Sequence, residues 1–502
     1  MERHNTQQKL PTSLYLAQQV RELDRIAIEQ ENIAGFTLMR RAGKIAFDTL
    51  VDTWPDVEKI TVFCGVGNNG GDGYVLATLA KQYGIAVEIV QCGNAEKVTG
   101  DALQARQLAL QDGVDIVDFS RELDVDRGVI VDALLGTGLR GEVRADFAQA
   151  IDCINSSQCP VLAIDIPSGL CSDTGQVLGK SVYAEQTVSF IGFKQGLLTG
   201  CGPDYTGTVT FSELSVPPAI FQQVEAASQR LDFDELMAVL PPRQSTAHKG
   251  HFGHVMIAGG DAGMAGAAIM ASQSACRVGA GLVSCATRPE HISAINSRCP
   301  EVMAHGVTSG QEIEPLLERA TVVVIGPGLG RGAWGEQLLQ KVYKLTVPLV
   351  VDADALNIIA DGRVVTRPYK DNWILTPHPG EAARLLGCSS AEIQRDRFAA
   401  VAELQRRYGG AVILKGAGTL VADAELAVTG VCPYGNPGMA AGGMGDVLSG
   451  VLGALLAQGL SPGIAARLGV CLHGKAGDMA SASGQRGMMA TDLIAHLRQL
   501  VN

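Results

Sequence analysis

Short apolar runs that end in glycine-rich turns and continue as amphipathic segments recur along the chain. This alternation is typical of parallel α/β architecture, in which each strand leads through a turn into a helix. Glycine makes up 60 of the 502 residues, well above the average share of about 7%, and no G-X-Y period accompanies it. The glycines therefore indicate many tight strand-to-helix turns, which is where phosphate groups bind.

The same pattern divides the chain into two α/β halves. At about 100–200 residues per domain, the length alone predicts two to four domains. The alternation is lost between Leu214 and Gly250, where two proline pairs bracket polar sequence that could form one connecting helix. We place the boundary near Val224, which gives a first domain over residues 1–224 and a second over residues 225–502.

The predicted elements follow from the apolar runs and the turn residues that bound them. In the first half, the predicted strands are Lys59–Cys64, Ile85–Gln91, Gly128–Asp132 and Pro160–Asp165, and the predicted helices are Gly73–Tyr83, Asp101–Leu110 and Ala145–Ile154. In the second half, the predicted strands are His254–Ala258, Gly281–Ala286, Thr321–Ile325, Pro348–Asp352, Trp373–Thr376 and Ala411–Lys415.

Charge and cysteine content narrow the class of protein. The formal net charge of -12 opposes an extended interface with nucleic acid or an anionic membrane. The 12 cysteines form no C-x-x-C pair, which disfavours zinc and indicates thiols in a reducing compartment. No signal-peptide core or membrane-length apolar run is present, so we expect a cytoplasmic protein.

The run from Gly65 to Gly73 follows a predicted strand and reads GVGNNGGDG. It contains G-x-G-x-x-G, and Glu88 lies 18 residues beyond Gly70 in the next strand, as in a dinucleotide-binding fingerprint. The additional asparagines and Asp72 offer oxygen atoms suited to a cation or to hydroxyl groups. A tight turn without a ligand is the remaining interpretation.

Two predicted strands of the first half end in an aspartate. Asp132 leads into the loop Gly136–Glu142, and Asp165 leads into a turn that contains Ser168. Ligands of open parallel sheets lie beyond the carboxyl ends of the strands, so both carboxylates are candidates for a site. For each aspartate taken alone, capping of the following turn is the alternative.

In this order, the motifs GNNGGDG, DALLGTGLRGE and DIPSGL resemble the N-terminal epimerase domain of the bifunctional NAD(P)H-hydrate repair enzymes, over roughly residues 10–215. The resemblance implies a Rossmann-like α/β domain whose substrate is a hydrated nicotinamide dinucleotide. It implies Asp165 as a catalytic residue that contacts the substrate, and potassium ligands at Asn69, Asp132 and Ser168. The implied substrate-binding residues are Asn68, Asn69, Gly70, Gly71, Asp72, Gly136, Thr137, Gly138, Leu139, Arg140, Gly141, Glu142 and Asp165.

The physical chemistry of these residues agrees with the implied roles. Neutral amide and hydroxyl oxygens with few charges suit a weakly hydrated monovalent cation. A carboxylate such as Asp165 can move a proton while the ring carbon that carries the hydroxyl group inverts.

In the second half, AAGGMGD directly precedes an apolar helix. The backbone N–H groups of Gly443 to Gly445 could face developing negative charge, while Asp446 could accept a proton from an attacking hydroxyl group. A plain helix N-cap is the alternative for Asp446. Gly326 to Gly332 form another flexible turn at a strand end, and no Walker A motif is present, which disfavours a P-loop NTPase.

Together, GPGLG, DADALN, TPHPGE, KGAGT and AAGGMGD resemble the ribokinase-like ADP- or ATP-dependent NAD(P)H-hydrate dehydratases, over roughly residues 226–500. The resemblance implies magnesium bound with the nucleotide and Asp446 at the reacting hydroxyl group. The implied substrate-binding residues are Ala267, Gly328, His378 and Asp446, and the implied nucleotide-binding residues are Lys415, Gly416, Ala417, Gly418, Thr419 and Gly445. A structural role is the alternative for His378, and for Asp352 and Asp354 we favour turn capping over a magnesium-linked role.

The two resemblances together imply metabolite repair. The first domain would interconvert the R and S hydrates of NADH and NADPH, and the second would dehydrate the S epimer at the expense of ADP or ATP. Phosphoryl transfer turns the poorly leaving hydroxyl group into a phosphate, whose elimination restores the reduced nicotinamide. We expect these small molecules as ligands, no nucleic-acid or membrane partner, and a homo-oligomer.

Three alternatives remain open from the sequence. The second half could be a small-molecule kinase with an accessory first domain. The first half could be a catalytically silent nucleotide-binding module. A nicotinamide dehydrogenase built on the first glycine run is the third, although no dedicated catalytic histidine or tyrosine site is evident for it.

Overall fold

The computed structural model describes residues 10–366 and 368–502. The chain divides into two compact units, Met1–Gln229 and Arg230–Asn502, and the predicted boundary near Val224 lies just before this division. Residues 1–9, which the prediction assigns to the first domain, lie outside the described part. Among the described residues, no helix is long and apolar enough to span a membrane.

The first unit is built on a seven-stranded parallel sheet with the order β4-β3-β2-β5-β6-β7-β8. The strands of this sheet are β2 Lys59–Cys64, β3 Ala86–Gln91, β4 Asp115–Asp118, β5 Val129–Ala133, β6 Val161–Ile164, β7 Gln186–Phe190 and β8 Thr208–Ser212. Outside this sheet, β1 Ser13–Leu14 pairs antiparallel with β9 Ser228–Arg230, whose last residue belongs to the second unit. The helices of the first unit are α1 Ala17–Glu29, α2 Gly35–Thr53, α3 Asn68–Tyr83, α4 Gly100–Gln111, α5 Ala145–Ser156 and α6 Gly202–Thr206.

The order of this sheet reverses between β2 and β5. From β2 the chain proceeds to β3 and β4 on one side, and it then returns to β5 and continues outward on the other side. The central strands are apolar and almost fully buried because helices cover both faces. The reversal leaves a crevice at the carboxyl ends of β2 and β5, where open α/β sheets bind their ligands.

The second unit contains a mixed sheet in which β18-β17-β16-β15-β14-β13-β10-β11-β12 are neighbours. Its strands are β10 His254–Ala258, β11 Leu282–Thr287, β12 Met303–Gly306, β13 Val322–Ile325, β14 Leu349–Val351, β15 Trp373–Leu375, β16 Ala411–Leu414, β17 Thr419–Ala422 and β18 Thr429–Cys432. Its helices are α7 Phe233–Met237, α8 Ala265–Val278, α9 Ile292–Arg298, α10 Gly310–Leu317, α11 Ala333–Val342, α12 Ala353–Asp361, α13 Pro379–Leu386, α14 Ser390–Arg395, α15 Arg397–Tyr408, α16 Met444–Ala457, α17 Pro462–Ala480 and α18 Ala490–Leu500.

The pairing in this second sheet is parallel from β12 through β16, and β17 and β18 are antiparallel. The helix α16, apolar on all sides, packs closely against α8 and lies within the core of the unit. The carboxyl ends of β13 to β16 therefore meet the N-terminus of α16 at one edge of the sheet.

The predicted α/β class is confirmed, and each predicted strand is present with ends that match the prediction or differ from it by one residue. The predicted connecting helix is wrong, because a single helical turn at Pro218–Ile220, the strand β9 and the short α7 occupy that stretch. The prediction for the first glycine run is also wrong in one respect. Helix α3 begins at Asn68 rather than Gly73, so the glycines form its first turns.

Close packing explains why these helical turns contain glycine. A Cβ atom on Gly70 would lie 2.2 Å from the carbonyl oxygen of Gly65, and one on Gly73 would lie 2.6 Å from the Cβ atom of Ala133. The glycines thus let α3 approach the ends of β2 and β5 closely, and this brings Asn69 and Asp72 to the crevice.

Candidate active sites

A cavity of about 740 Å³ lies at the carboxyl edge of the first sheet. The N-terminus of α3, the loop after β5, and helix α1 contribute to its wall. The predicted substrate-binding residues that line it are Asn68, Asn69, Asp72, Gly136, Thr137, Gly138, Leu139, Arg140, Glu142 and Asp165. Gly70 and Gly71 are buried behind this wall. The structure thus brings together residues from three separate motifs at one cavity.

Asp165 directly follows β6 and forms an ion pair with Lys194. The Lys194 side chain is only 1% exposed and also donates to the Ser189 hydroxyl (3.1 Å) and the Phe190 carbonyl (2.9 Å). Asp165 has a φ of +68°, a left-handed conformation that aspartate tolerates better than most residues. The turn-capping alternative for Asp165 is wrong, because its carboxylate is fixed by Lys194 and faces the cavity.

The charged residues of this cavity that sequence reasoning missed include Lys194 and Asp24. Lys194 is a single lysine in the apolar run VSFIGFKQGLL. Asp24 lies on α1 between the buried residues Val20 and Ala27, at helical spacing from both. In each case the available signal was a charged residue inside an otherwise apolar pattern, which is rare without a partner or a function.

The three predicted potassium ligands have the chemistry that such an ion requires. The side-chain oxygen and nitrogen of Asn69 are buried without a hydrogen-bond partner among the described residues. Asp132 is fully buried and accepts hydrogen bonds from the Ser168 backbone (2.7 Å), the Ser168 hydroxyl (2.6 Å) and the Leu134 backbone (3.2 Å). Burial raises the pKa of Asp132 to about 6, against the hydrogen bonds from Ser168 and Leu134. A buried amide oxygen without a partner, a carboxylate and a hydroxyl group are oxygen donors of the kind that a monovalent cation binds.

In the second unit, polar side chains meet where β14, β15 and β16 end. Lys415 forms an ion pair with Asp352 at 2.8 Å and lies 3.8 Å from Glu381. The Ser449 hydroxyl of α16 donates to the second Asp352 oxygen at 2.8 Å. A Cβ atom on Gly445 would lie 3.3 Å from the Lys415 ammonium and 3.4 Å from Asp352. Glycine at this position therefore keeps the surface above the ion pair open.

These contacts determine the charge states at the site. Burial alone would raise the pKa of Asp352, but the Lys415 ammonium and the surrounding hydrogen bonds lower it overall. Burial would lower the pKa of Lys415, and the carboxylates of Asp352 and Glu381 raise it instead. The pair is therefore charged at neutral pH and places a fixed carboxylate near Asp446.

Asp446 lies in the first turn of α16, whose N-cap is Gly443 with a φ of +91°. The N-cap alternative for Asp446 is therefore wrong. Burial, and then the negative charge of Asp352, raise the pKa of Asp446 to about 7, against the opposing effect of Lys415. A carboxylate with such a pKa at a helix N-terminus can accept a proton near neutral pH.

The favoured capping roles of Asp352 and Asp354 are also wrong. The Asp352 side chain makes no capping hydrogen bond to α12. Asp354 accepts from the backbone N–H of Gly330 at 2.9 Å, which ties the glycine-rich loop after β13 to α12. Both carboxylates thus support the strand-end loops rather than their own turn.

Of the remaining predicted residues of the second site, Ala267 lies in the first turn of α8, Gly328 lies in the loop after β13, and His378 is the N-cap of α13. A Cβ atom on Gly328 would lie 3.0 Å from that of Ala267, so these two predicted substrate-binding residues are in contact. His378 caps α13 by accepting from Gly380 at 3.0 Å, and its half-exposed ring also lies 3.3 Å from Glu381. The structural role that was the alternative for His378 is therefore supported by this capping hydrogen bond and by the contact with Glu381.

The segment from Lys415 to Thr419 connects β16 to the start of β17. The buried Arg397 fixes this segment, because its guanidinium group donates hydrogen bonds to the carbonyl groups of Leu414 and Gly418, each at 3.3 Å. The Thr419 hydroxyl donates to Gly416 at 2.9 Å. These contacts fix a glycine-rich loop beside the ion pair, as a nucleotide-binding loop requires.

Both units have their candidate residues at the carboxyl edge of a parallel sheet, which defines a two-domain α/β enzyme that acts on small molecules. Two family models match the chain, "YjeF-related protein N-terminus" over residues 35–196 and "NAD(P)H-hydrate dehydratase" over residues 255–499. The second unit is similar to a solved ribokinase-like superfamily protein of Enterococcus faecalis, with 30% identity and a TM-score of 0.50. That match covers 54% of this chain and 94% of the other.

The similarity to curated proteins extends over nearly the full length. A bifunctional NAD(P)H-hydrate repair enzyme of Coxiella burnetii is 48% identical over 98% of this chain and 100% of its own length. One of Escherichia coli is 45% identical over 98% of this chain and 95% of its own length. The chain belongs to the family of bifunctional NAD(P)H-hydrate repair enzymes. These comparisons do not favour the dehydrogenase alternative, although Glu88 lies in β3, the strand that follows the first glycine run, as predicted.

Proposed function

We propose that this chain repairs hydrated NADH and NADPH with two separate active sites. The first unit interconverts the R and S hydrates, and the second dehydrates the S epimer. The second reaction consumes ADP or ATP and yields NAD(P)H, phosphate and AMP or ADP. The observation that carries the proposal is the presence of one carboxylate-bearing strand edge in each unit of a chain that belongs to this family.

At the first site, the cavity is large enough for the hydrated nicotinamide and its ribose. Lys194 holds the Asp165 carboxylate in place, so that Asp165 can take a proton as the ring carbon inverts. Asn69, Asp132 and Ser168 would hold a potassium ion, which supplies a fixed positive charge beside the glycine loop Gly136–Glu142. The unpartnered side chain of Asn69 supports this assignment.

At the second site, Asp446 accepts the proton of the ring hydroxyl group as that oxygen attacks the terminal phosphate of the nucleotide. Backbone N–H groups at the start of α16 stabilise the charge on the transferred group. The phosphorylated oxygen then leaves as phosphate, and loss of a ring proton restores the reduced nicotinamide. Lys415 to Thr419 and Gly445 bind the nucleotide, and Ala267, Gly328 and His378 bind the hydrate.

Magnesium would neutralise the nucleotide phosphates when bound. Among residues 10–366 and 368–502, no group of three or more His, Cys, Asp or Glu side chains could hold a metal ion. We therefore assign the ion mainly to the phosphates themselves, as is usual for magnesium nucleotides.

All 12 cysteines are free, which supports a reducing, cytoplasmic setting. The homo-oligomer stays a prediction.

The test mixes purified protein with both epimers of NADH hydrate, potassium, magnesium and either ADP or ATP. We expect full recovery of the reduced-nicotinamide absorbance, with one inorganic phosphate released for each molecule repaired. A stable phosphorylated hydrate would instead support the small-molecule kinase. Recovery that stops when the S epimer is exhausted would support the silent first domain.

A further inference from the structure

Asp24 is a carboxylate of the first cavity that none of the motifs contains. It lies on α1, whose neighbouring positions Val20 and Ala27 are buried, and its side chain lines the same cavity as Asp165 and Lys194. It accepts no hydrogen bond from any residue that the structure describes. By contrast, Arg21 on the preceding turn of α1 donates to the Thr137 carbonyl at 3.2 Å. Asp24 is thus an uncommitted carboxyl group in the cavity.

Three charged groups act on Asp24 from other elements. Burial raises the pKa of Asp24 to about 6, the ammonium of Lys194 opposes this, and the carboxylate of Asp165 adds to it. Asp72 on α3 interacts with the same groups, and burial raises its pKa as well. The other charged residues that line the cavity are Arg21 on α1, Asp101 on α4, Arg140 and Glu142 in the loop after β5, and Arg144 directly before α5. Asp24 and Asp165 therefore line one cavity and interact electrostatically across it.

We propose that Asp24 is the second acid–base residue of the epimerase site and works as a pair with Asp165. Epimerisation inverts one carbon, and in a route through a C=N bond the hydroxyl group leaves from one face of the ring and arrives on the other. One carboxyl group on one side cannot serve both faces. Asp24 and Asp165 enter the cavity from α1 and from the end of β6, which are different elements. This inference rests on the epimerase function proposed above.

The two carboxyl groups account for every proton in the reaction. Protonated Asp24 donates to the ring hydroxyl group, the C–O bond breaks, and water departs as the electron pair of the ring nitrogen forms a C=N bond. A water molecule then adds to the opposite face of the same carbon, and its proton passes to Asp165 while the electron pair returns to nitrogen. The reverse reaction uses the same groups in exchanged roles, so the pair holds one proton before and after each turnover, and the departing water carries that proton while the C=N bond exists.

The primary test substitutes Asp24→Asn in the full chain and follows interconversion of the purified R hydrate, with potassium and without nucleotide. We expect the rate to fall by about 100-fold or more, the usual loss for an acid–base group. Dehydration of the S hydrate with nucleotide should stay unchanged, which shows that the second unit is intact. Glu22→Gln, on the exposed side of the same helix, is the matched control and should interconvert the epimers at the parent rate.

Two further readouts separate proton transfer from a purely structural role. In H₂¹⁸O, the parent protein should incorporate ¹⁸O into the ring hydroxyl group as the epimers interconvert. The parent rate should fall as pH rises above about 6, because the pair then loses its proton, and Asp24→Glu should shift this limb while keeping the first unit folded.

The outcomes are distinguishable. An Asp24→Asn rate within a few-fold of the parent, or an Asp24→Glu profile with an unshifted limb, would overturn the proposal. Interconversion without oxygen exchange would overturn the step in which the hydroxyl group departs. Failure of the parent protein itself to interconvert the epimers would instead overturn the epimerase function.

Discussion

In the first unit, Lys194 contacts Asp165, the carboxylate that faces the cavity, whereas in the second unit Lys415 contacts Asp352 and leaves Asp446 outside the pair. Both pairs stand at the carboxyl edge of a parallel sheet. In the first site the lysine therefore holds the candidate catalytic group itself. In the second site it holds a neighbour of that group.

This difference determines how each aspartate can act. The paired Asp165 has an ammonium group against it, and in the reaction proposed above Asp165 and Asp24 exchange the roles of proton donor and acceptor. Asp446 has the carboxylate of Asp352 nearby, and its pKa of about 7 lets it accept a proton and release it again near neutral pH. An ion pair can thus position a catalytic group or tune the pKa of its neighbour.

The largest expected effect is that of substituting Asp446, the carboxylate that lies outside the Lys415–Asp352 pair. Asp446→Asn removes the proton acceptor of the second site, so we expect dehydration of the S hydrate to fall by about 100- to 10,000-fold. Epimer interconversion should be unchanged, as measured by chromatographic separation of the two epimers. Dehydration within a few-fold of the parent would show that Asp446 is not the base.

Lys194→Met breaks the pair in the first unit. Removing one partner of a buried ion pair costs about 3–5 kcal/mol, so we expect a lower unfolding temperature of the first unit and loss of epimer interconversion. Lys180→Met is the control, because Lys180 pairs with Asp152 at the surface and such pairs contribute about 1 kcal/mol or less. Equal effects of the two substitutions in calorimetry would contradict a special role of the Asp165–Lys194 pair.

The pH profile of dehydration tests the pair in the second unit. Because Asp446 must be deprotonated to accept a proton, the parent rate should fall as pH decreases through about 7. Asp352→Asn removes a negative charge that raises the pKa of Asp446, so the falling limb should move to lower pH. Lys415→Met removes a positive charge that lowers it, so the limb should move to higher pH, with a larger KM for the nucleotide. Limbs that move in the same direction would contradict this electrostatic coupling.

The smallest effect concerns the potassium ligands. Asn69→Ala should raise the potassium concentration for half-maximal epimerisation by about 10-fold, the lower end of what loss of a supporting group costs at other metal sites. The titration is made at constant ionic strength with choline chloride. A potassium dependence identical to that of the parent would remove Asn69 from the ligand set.

Much of the fold could be predicted from the sequence because parallel strands buried on both faces read as continuous apolar runs. The strands β7 and β8 were not predicted by this criterion, because their sequences, QTVSF and TVTFS, mix polar residues with apolar ones. The start of α3 was misplaced because glycines that permit close helix packing look the same as glycines that permit a turn.

For a related reason, the sequence predicted only some of the residues at each candidate site. Polar residues that end an apolar strand, such as Asp165, stand out locally. Asp24 and Lys194 come from a helix and from the segment after β7, and only the topology brings them to Asp165. Likewise, Asp352 and Lys415 are 63 positions apart in the sequence, which hides their pairing.

The central claim is that the two reactions use separate carboxylates in independent sites, and a complementation assay tests it directly. Asp165→Asn and Asp446→Asn proteins are each supplied with purified R hydrate, potassium, magnesium and ADP, and recovery of NADH is compared with spontaneous epimerisation. We expect neither variant alone to exceed that background, and the mixture of the two to restore recovery. Full recovery by either variant alone, or a mixture that stays at the background rate, would contradict the account.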